Sequence, residues 1–203
     1  MIIKYEKVFF MNDNLKKELL RKSLHLFTGV TFSLLILFGF LKWWHFLALF
    51  VFSLPILFYI HNTNKKVPVI SYFIDKMGRQ DEFPGKGALT FVIGVFIAFL
   101  IFPKNIAAAS IMILAVGDAI SPLIGKHFGK TKTIFSKRKM IEGFIVGVSF
   151  SFLAATLIVG AKLAFFASLI ALFAEFWDET DFIDDNILIP LVAGLVMTVI
   201  NLL

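Results

Sequence analysis

The chain has 203 residues, 59% of them hydrophobic, with 26 phenylalanines, a mean hydropathy of +0.87 and a formal net charge of +6. Soluble domains are usually about 45–50% apolar, so a water-soluble globule is excluded, while the length allows one compact bundle rather than several domains. The absence of cysteine excludes thiolate metal sites, a catalytic thiol and disulfide stapling, and basic residues lying between apolar runs point to anionic head groups and phosphates, not nucleic acid, as partners.

Residues 1–23 read as a basic amphipathic arm. Its charges, and the lack of a small-residue cleavage site in the apolar run that follows, argue against a cleavable signal peptide. A helix can start there at Asn12 or Asp13, with Leu15, Leu19, Leu20 and Leu24 forming an apolar stripe suited to the membrane surface. Seven apolar runs follow: Leu24–Leu41, Trp43–Ile60, Gly87–Phe102, Ile106–Ile124, Gly143–Gly160, Leu163–Trp177 and Ile187–Leu203. Hydrocarbon offers the backbone no hydrogen-bond partners, so these runs are expected to be helices. The third and sixth are short against the roughly 17–25 residues of a full crossing. Pro103-Lys104-Asn105 and Gly160-Ala161-Lys162 read as tight reversals.

Of the 20 Lys and Arg, all but Lys42, Lys104 and Lys162 fall in the N-terminal arm or in the second and fourth connections. The positive-inside rule puts those segments in the cytoplasm. Most acidic residues lie on the same side: Asp75, Asp81, Glu82, Glu142, Glu175, Asp178, Glu179, Asp181, Asp184 and Asp185 lie in or beside cytoplasmic connections, the sixth included, and Asp118 alone sits well inside an apolar run. Lysine and arginine would suffice for orientation. Carboxylates clustered beside them suggest a site that handles a metal and an anion. The expected fold is therefore an all-α integral membrane protein, about seven transmembrane helices in one bundle with the N-terminus cytoplasmic, residues 24–203 forming a single catalytic domain.

Five constellations at that face carry candidate chemistry. In the first, Arg21, Lys22 and His25 share helix faces, either as a cationic anchor with a proton-handling histidine or as a snorkelling basic flank. The second is Pro84-Gly85-Lys86-Gly87, a cation beside free backbone N–H groups at a helix start, suited to a phosphate contact or simply a loop turning into a span. In the third, Asp118 follows Gly117 in a segment where Gly117, Ser121, Gly125 and Gly129 recur every four residues, with Lys126 and Lys130 among them. A carboxylate within a span costs about 2.5–3.5 kcal/mol on insertion scales, so Asp118 is expected to face a cavity, a cation or a metal. The small-residue column admits either a ligand or another helix. The fourth is Lys137-Arg138-Lys139 followed by Glu142-Gly143, cations suited to phosphate oxygens with a glutamate that either joins the site or compensates a helix dipole. The fifth pairs Glu175 with Asp184-Asp185-Asn186, hard oxygen ligands of the kind Mg²⁺ prefers, one of which can be a helix cap.

Taken in order, Arg21-Lys22/His25, Gly117-Asp118-Ala119, Gly125/Gly129, Lys139/Glu142-Gly143, Ala174-Glu175 and Asp185-Asn186/Pro190 resemble the CTP-dependent lipid kinase family of dolichol kinase, phytol kinase and yeast-type diacylglycerol kinase. The resemblance runs from residue 21 to the C-terminus. It departs at Phe144, where the family often has a small or hydroxyl residue. The resemblance implies CTP as phosphoryl donor, Mg²⁺ as helper and a long-chain isoprenoid or glyceride alcohol as acceptor. The short chain suits a prokaryotic cell membrane, and the sorted charges put the active site of this multi-pass protein at the cytoplasmic face. On this reading Asp118, Glu175 and Asp185 hold the metal. Lys126, Lys130 and Lys139 grip the phosphates with help from Arg21, Lys22, Lys86, Gly117, Gly125, Gly129 and Asn186. Glu142 joins the metal shell or orients Lys139, and Asp118 or His25 is the base. Two other readings compete: a CTP:lipid-phosphate cytidylyltransferase, and a small-solute transporter, against which the nearly uncharged outer face argues.

Overall fold

The computed structural model describes residues 13–63, 67, 83, 85–132, 139–177 and 183–203. Asn12, Asp75, Asp81, Glu82, Pro84, Lys137, Arg138, Asp178, Glu179 and Asp181, named above, lie outside the described residues.

The described residues form helices only, apart from one isolated backbone bridge. In chain order these are α1 (Asp13–Leu37), α2 (Trp43–Thr63), α3 (Lys86–Ile101), α4 (Lys104–Phe128), α5 (Ile141–Val159), α6 (Ala161–Trp177) and α7 (Asp185–Leu202). Each corresponds to one apolar run. Five are long and apolar enough to cross a membrane, namely α1 from Leu15 onward, α2, α4, α5 and α7. With its all-helical, strongly apolar bundle this is a multi-pass membrane protein.

Local chemistry sets the helix ends. Pro103 cannot donate to a preceding turn, so α3 stops at Ile101 and the chain restarts as α4 after two residues, Phe102 and Pro103. Gly160 takes φ +82°, a conformation that side chains resist, and reverses the chain between α5 and α6. Asp184 caps α7, its carboxylate accepting the Asn186 N–H at 3.0 Å. The two short runs stay short: α3 has 16 residues and α6 has 17. At 1.5 Å per residue α3 extends about 24 Å, less than the roughly 30 Å hydrocarbon core.

The arm does not break before the first span. From Asp13 on, its residues are the opening turns of α1, which continues without interruption to Leu37. Polar ties along α4 hold it upright: Lys126 Nζ to Glu18 at 2.5 Å, Lys22 Nζ to Asp118 at 2.6 Å and Ser33 Oγ donating to the Ala108 carbonyl at 2.8 Å.

α4 is the axis of the bundle. Every residue from Ile106 to Ala119 is buried, the signature of a helix surrounded on all sides. α1, α3, α5, α6 and α7 pack around it. Small side chains allow the close approaches. A Cβ on Gly29 would strike Ala115, and one on Gly143 would strike the Ser121 carbonyl and Gly125. α2 stands at the edge, attached through Phe46, which packs against Phe96, Phe99 and Phe32.

Candidate active site

The alternating helices bring the starts of α3, α5 and α7 and the ends of α4 and α6 to one end of the bundle, beside the first turns of α1. Three carboxylates meet there. Asp118 projects from α4 one helical turn before Pro122, Glu175 from the last turn of α6, and Asp185 opens α7. One oxygen of each lies within 4.8 Å of the others. Asp118 and Glu175 are buried, 8% and 6% exposed. That burial decides their character, because an unpaired carboxylate at such depth is expensive.

Two lysines and a histidine pair with them. Lys22 places Nζ 2.6 Å from Asp118 Oδ1, and His25, one turn along α1, places Nε2 3.4 Å from Asp118 Oδ2. Phe91 on α3 meets the His25 ring edge-on at 4.8 Å and fixes its plane. Lys139, just before α5, lies 3.1 Å from Glu175 Oε1 and also donates to the Glu175 backbone carbonyl at 2.5 Å. That second bond occupies a carbonyl left unpaired at the end of α6. Asp185 forms no ion pair among the described residues.

The residues fit a divalent cation. The donors are hard oxygens, and three carboxylates against two ammonium groups leave one negative charge. Octahedral Mg²⁺ at about 2.0–2.1 Å sets opposite ligands roughly 4.2 Å apart, so oxygens within 4.8 Å of one another need little closure or one intervening water. The starts of α3, α5 and α7 point positive helix ends at the same volume, which favours an anion. Among the described residues, two buried polar atoms here, His25 Nε2 and Asn186 Oδ1, lack a hydrogen-bond partner, as does Glu142 Oε2 at the start of α5. Native interiors rarely leave such atoms unsatisfied without a ligand or water to meet them.

Asn186 is held in one orientation. Its amide nitrogen lies 2.8 Å from Asp184 Oδ1, 3.1 Å from Thr90 Oγ1 and 3.5 Å from the Gly87 carbonyl. Only the amide oxygen is left to accept from something else. These contacts join the start of α7 to the start of α3, where Lys86 stands beside Gly87.

Other predicted residues have different surroundings. Glu142 is not among the clustered carboxylates. Its Oε1 accepts the backbone N–H groups of Lys130 (3.0 Å) and Thr131 (2.9 Å). A bridge between Lys132 and Met140, with the Ile141 N–H on the Thr131 carbonyl at 3.2 Å, closes the same connection. Glu142 thus pins the α4–α5 connection, and Lys130 is held there through its backbone. Lys126 turns away from the cluster to Glu18, which also lies 4.0 Å from Arg21. The glycine column faces neighbouring helices: a Cβ on Gly117 would meet Leu172 at 2.7 Å and Ser151 at 2.9 Å, and Gly125 lies against Gly143 and Met140. Gly129 ends α4, its N–H bonded to the Gly125 carbonyl at 3.0 Å, with Met140 tight against it. Helix packing suffices for Gly117 and Gly125, while Gly129 packs on Met140 just before α5.

Sequence reasoning passed over Glu18 and Thr90. Glu18 carried a local signal, its i,i+3 spacing to Arg21. Thr90 carried none, since its partner lies 96 residues away.

Comparison with known proteins places this site in context. The chain is 31% identical over 195 residues to an uncharacterized protein of Methanocaldococcus jannaschii, covering 89% of this chain and 93% of that one. It is 26% identical over 141 residues to the CTP-dependent diacylglycerol kinase 1 of Schizosaccharomyces pombe, covering 61% and 64% of the two chains. It is 27% identical over 145 residues to a probable chloroplastic phytol kinase of Triticum aestivum, covering 61% and 46%. A shorter stretch of 97 residues is 35% identical to the phosphatidate cytidylyltransferase of Aquifex aeolicus, covering 44% and 38%. No family model and no solved structure matches.

Proposed function

We propose, from its similarity to CTP-dependent lipid kinases, that the chain is a member of that family and transfers the γ-phosphoryl group of CTP to a membrane-embedded long-chain alcohol, isoprenoid or diacylglycerol, at the cytoplasmic face. The observation that supports this reading most is the meeting of Asp118, Glu175 and Asp185, contributed by three helices, with Lys22 and Lys139 at one end of the bundle. Phosphoryl transfer asks for positioning and charge neutralisation more than for covalent chemistry. A lipid alcohol keeps its tail in hydrocarbon and its hydroxyl at head-group depth, while the nucleotide arrives from water. Only a site at the membrane boundary serves both.

In this proposal Asp118, Glu175 and Asp185 would hold Mg²⁺, which when bound would neutralise phosphate charge. Lys22 and Lys139 neutralise the remaining phosphate charge, with the positive ends of α3, α5 and α7 behind them. Asn186 Oδ1 accepts a hydrogen bond from a substrate or its water. The proton of the acceptor hydroxyl goes to the Asp118–His25 pair. Oδ2 faces His25 Nε2 at 3.4 Å and is the Asp118 oxygen placed to share that proton with it. Glu142 acts at one remove, holding the backbone of Lys130 and Thr131 at the end of α4.

The test is incubation of purified protein with γ-labelled CTP, ATP, GTP or UTP, Mg²⁺ and a panel of lipid alcohols. Label in the lipid phase with release of CDP, strongest with CTP, is the expected result. Release of pyrophosphate with CMP retained on a lipid phosphate would assign the cytidylyltransferase reaction instead, the outcome that the stretch shared with the Aquifex aeolicus enzyme makes worth measuring. Counterflow of a labelled solute in proteoliposomes, with no lipid product, would make the protein a carrier.

A further inference from the structure

We propose that Lys22 and Lys139 are internal counter-ions of the carboxylate cluster. They occupy it in the nucleotide-free protein, yield to a divalent metal, and pass to the phosphates when metal and nucleotide arrive together. The proposal rests on the nucleotide-binding reading for its second half and on the geometry alone for its first.

The two lysines come from unrelated parts of the chain, α1 and the segment before α5, yet each ends on a different carboxylate of the same cluster. Lys22 takes Asp118, and Lys139 takes Glu175. Their side chains are 12% and 26% exposed, and the carboxylates they meet 11% and 8%. Water therefore screens these pairs far less than surface ion pairs. Removing either cation leaves a buried carboxylate without compensation, so the lysines hold the empty site together.

The same pairs obstruct a bare metal. A cation entering the cluster finds Asp185 without an ion pair among the described residues, but each of the other two ligands already carries an ammonium, whose positive charge repels it. The ammonium groups then need an anion within reach of a lysine side chain. A triphosphate carried with the metal supplies it. The arrangement thus makes metal alone a weak ligand and the metal–nucleotide complex a strong one, which couples occupancy of the metal site to the presence of substrate.

The experiment uses the full-length protein in detergent and Mn²⁺ as probe, with free Mn²⁺ read by electron paramagnetic resonance and thermal unfolding followed in parallel. Neither readout requires turnover. Wild-type protein is expected to bind Mn²⁺ weakly alone and at least about tenfold more tightly with CTP, the scale set by one charge interaction in a partly buried site. Lys22→Met and Lys139→Met are each expected to bind Mn²⁺ alone about tenfold more tightly or better. They should unfold at lower temperature without metal, regain stability in Mn²⁺ and lose the CTP enhancement. Lys22→Arg, which keeps the charge, should resemble wild type. The proposal is overturned if the Met variants bind Mn²⁺ no more tightly than wild type. It is overturned equally if neither variant folds even when purified in Mn²⁺, because a metal able to replace the lysine charge would restore them. Tighter Mn²⁺ binding without any effect of CTP would keep the counter-ion role and sink the nucleotide reading.

Discussion

α4 and α2 are both long apolar helices that qualify as membrane spans, and they occupy opposite positions in the bundle. α4 is buried through Ile106–Ala119, whereas α2 buries only Phe46 and Ile60. The difference lies in side-chain size. α4 carries Ala107, Ala108, Ala109, Ser110, Ala115, Gly117 and Ala119, and α2 carries Trp43, Trp44, Phe46, Phe50, Phe52, Phe58 and Tyr59. Lipid is as apolar as leucine, so hydropathy cannot say which helix faces it. Small residues let backbones approach, and packing then selects the central helix. The helix that other helices can surround is also the one able to keep a carboxylate away from lipid, and Asp118 lies on it.

The largest expected effect tests α4 as the bearer of chemistry. Asp118→Asn keeps the shape and removes the charge that faces Lys22 and His25. Lipid phosphorylation should fall on the order of 10³-fold, the scale on which losing one charge-neutralising group costs a phosphoryl transfer. Near-normal turnover would remove Asp118 from both its proposed roles. Next come substitutions that test packing against α4. On Gly143 a methyl group has no room, because the Ser121 carbonyl and the Gly125 backbone, with Cα and N each at 3.0 Å, stand in its way. Gly143→Ala should cost roughly 2–3 kcal/mol through forced separation of α4 and α5, read as a lower unfolding temperature in detergent. A neutral result would mean that the two helices do not cross this closely. Smaller still is Glu142→Ala, which frees the Lys130 and Thr131 N–H groups from their clamp at the end of α4. About a tenfold rise in KM for CTP is expected, consistent with losing hydrogen bonds to a charged acceptor. Because Gln keeps the accepting oxygen, Glu142→Gln should recover most of the loss; a variant dead in both forms would place Glu142 in the chemistry itself.

Much of this architecture is visible in the chain alone, for a physical reason. Hydrocarbon makes long apolar runs obligatory and polar intrusions costly, so the seven runs and the isolated Asp118 stand out without any partner being known. Glu175 and Asp185 stand out likewise, flanking the connection between the last two runs, and the structure brings all three carboxylates within 4.8 Å. What the sequence hides is pairing over distance. Lys126 and Lys130 lie nearest Asp118 in sequence, but Lys22, 96 residues away, reaches it, while Lys126 goes to Glu18, 108 residues away. Spacing speaks only for neighbours three or four apart on one helix. The glycines following Asp118 suit a ligand and a helix equally, and only the position of α5 decides between them. Glu142 shows the same limit, since its partners are backbone N–H groups in a connection whose path no side-chain pattern records.

The smallest expected effect is the one that probes the comparison within a single helix. Phe46 and Phe52 are both on α2, six residues apart, and composition treats them alike. Phe46 is fully buried against Phe32, Phe96 and Phe99, and Phe52 is 71% exposed on the face turned to lipid. Neither ring is removed from water when the bundle forms, so the usual transfer gain is absent and contact alone distinguishes them. Phe46→Ala leaves a cavity at the only buried attachment of the outer half of α2 among the described residues, and should cost roughly 2 kcal/mol, below the full cost of such a truncation in a water-soluble core. Phe52→Ala exchanges ring–lipid contact for methyl–lipid contact and should stay within about 0.5 kcal/mol of wild type, with turnover unchanged. Unfolding in detergent measures both. Equal losses at the two positions would mean that the lipid-turned face of α2 is covered in the assembled protein, and the contrast with α4 would then be one of partner, not of burial.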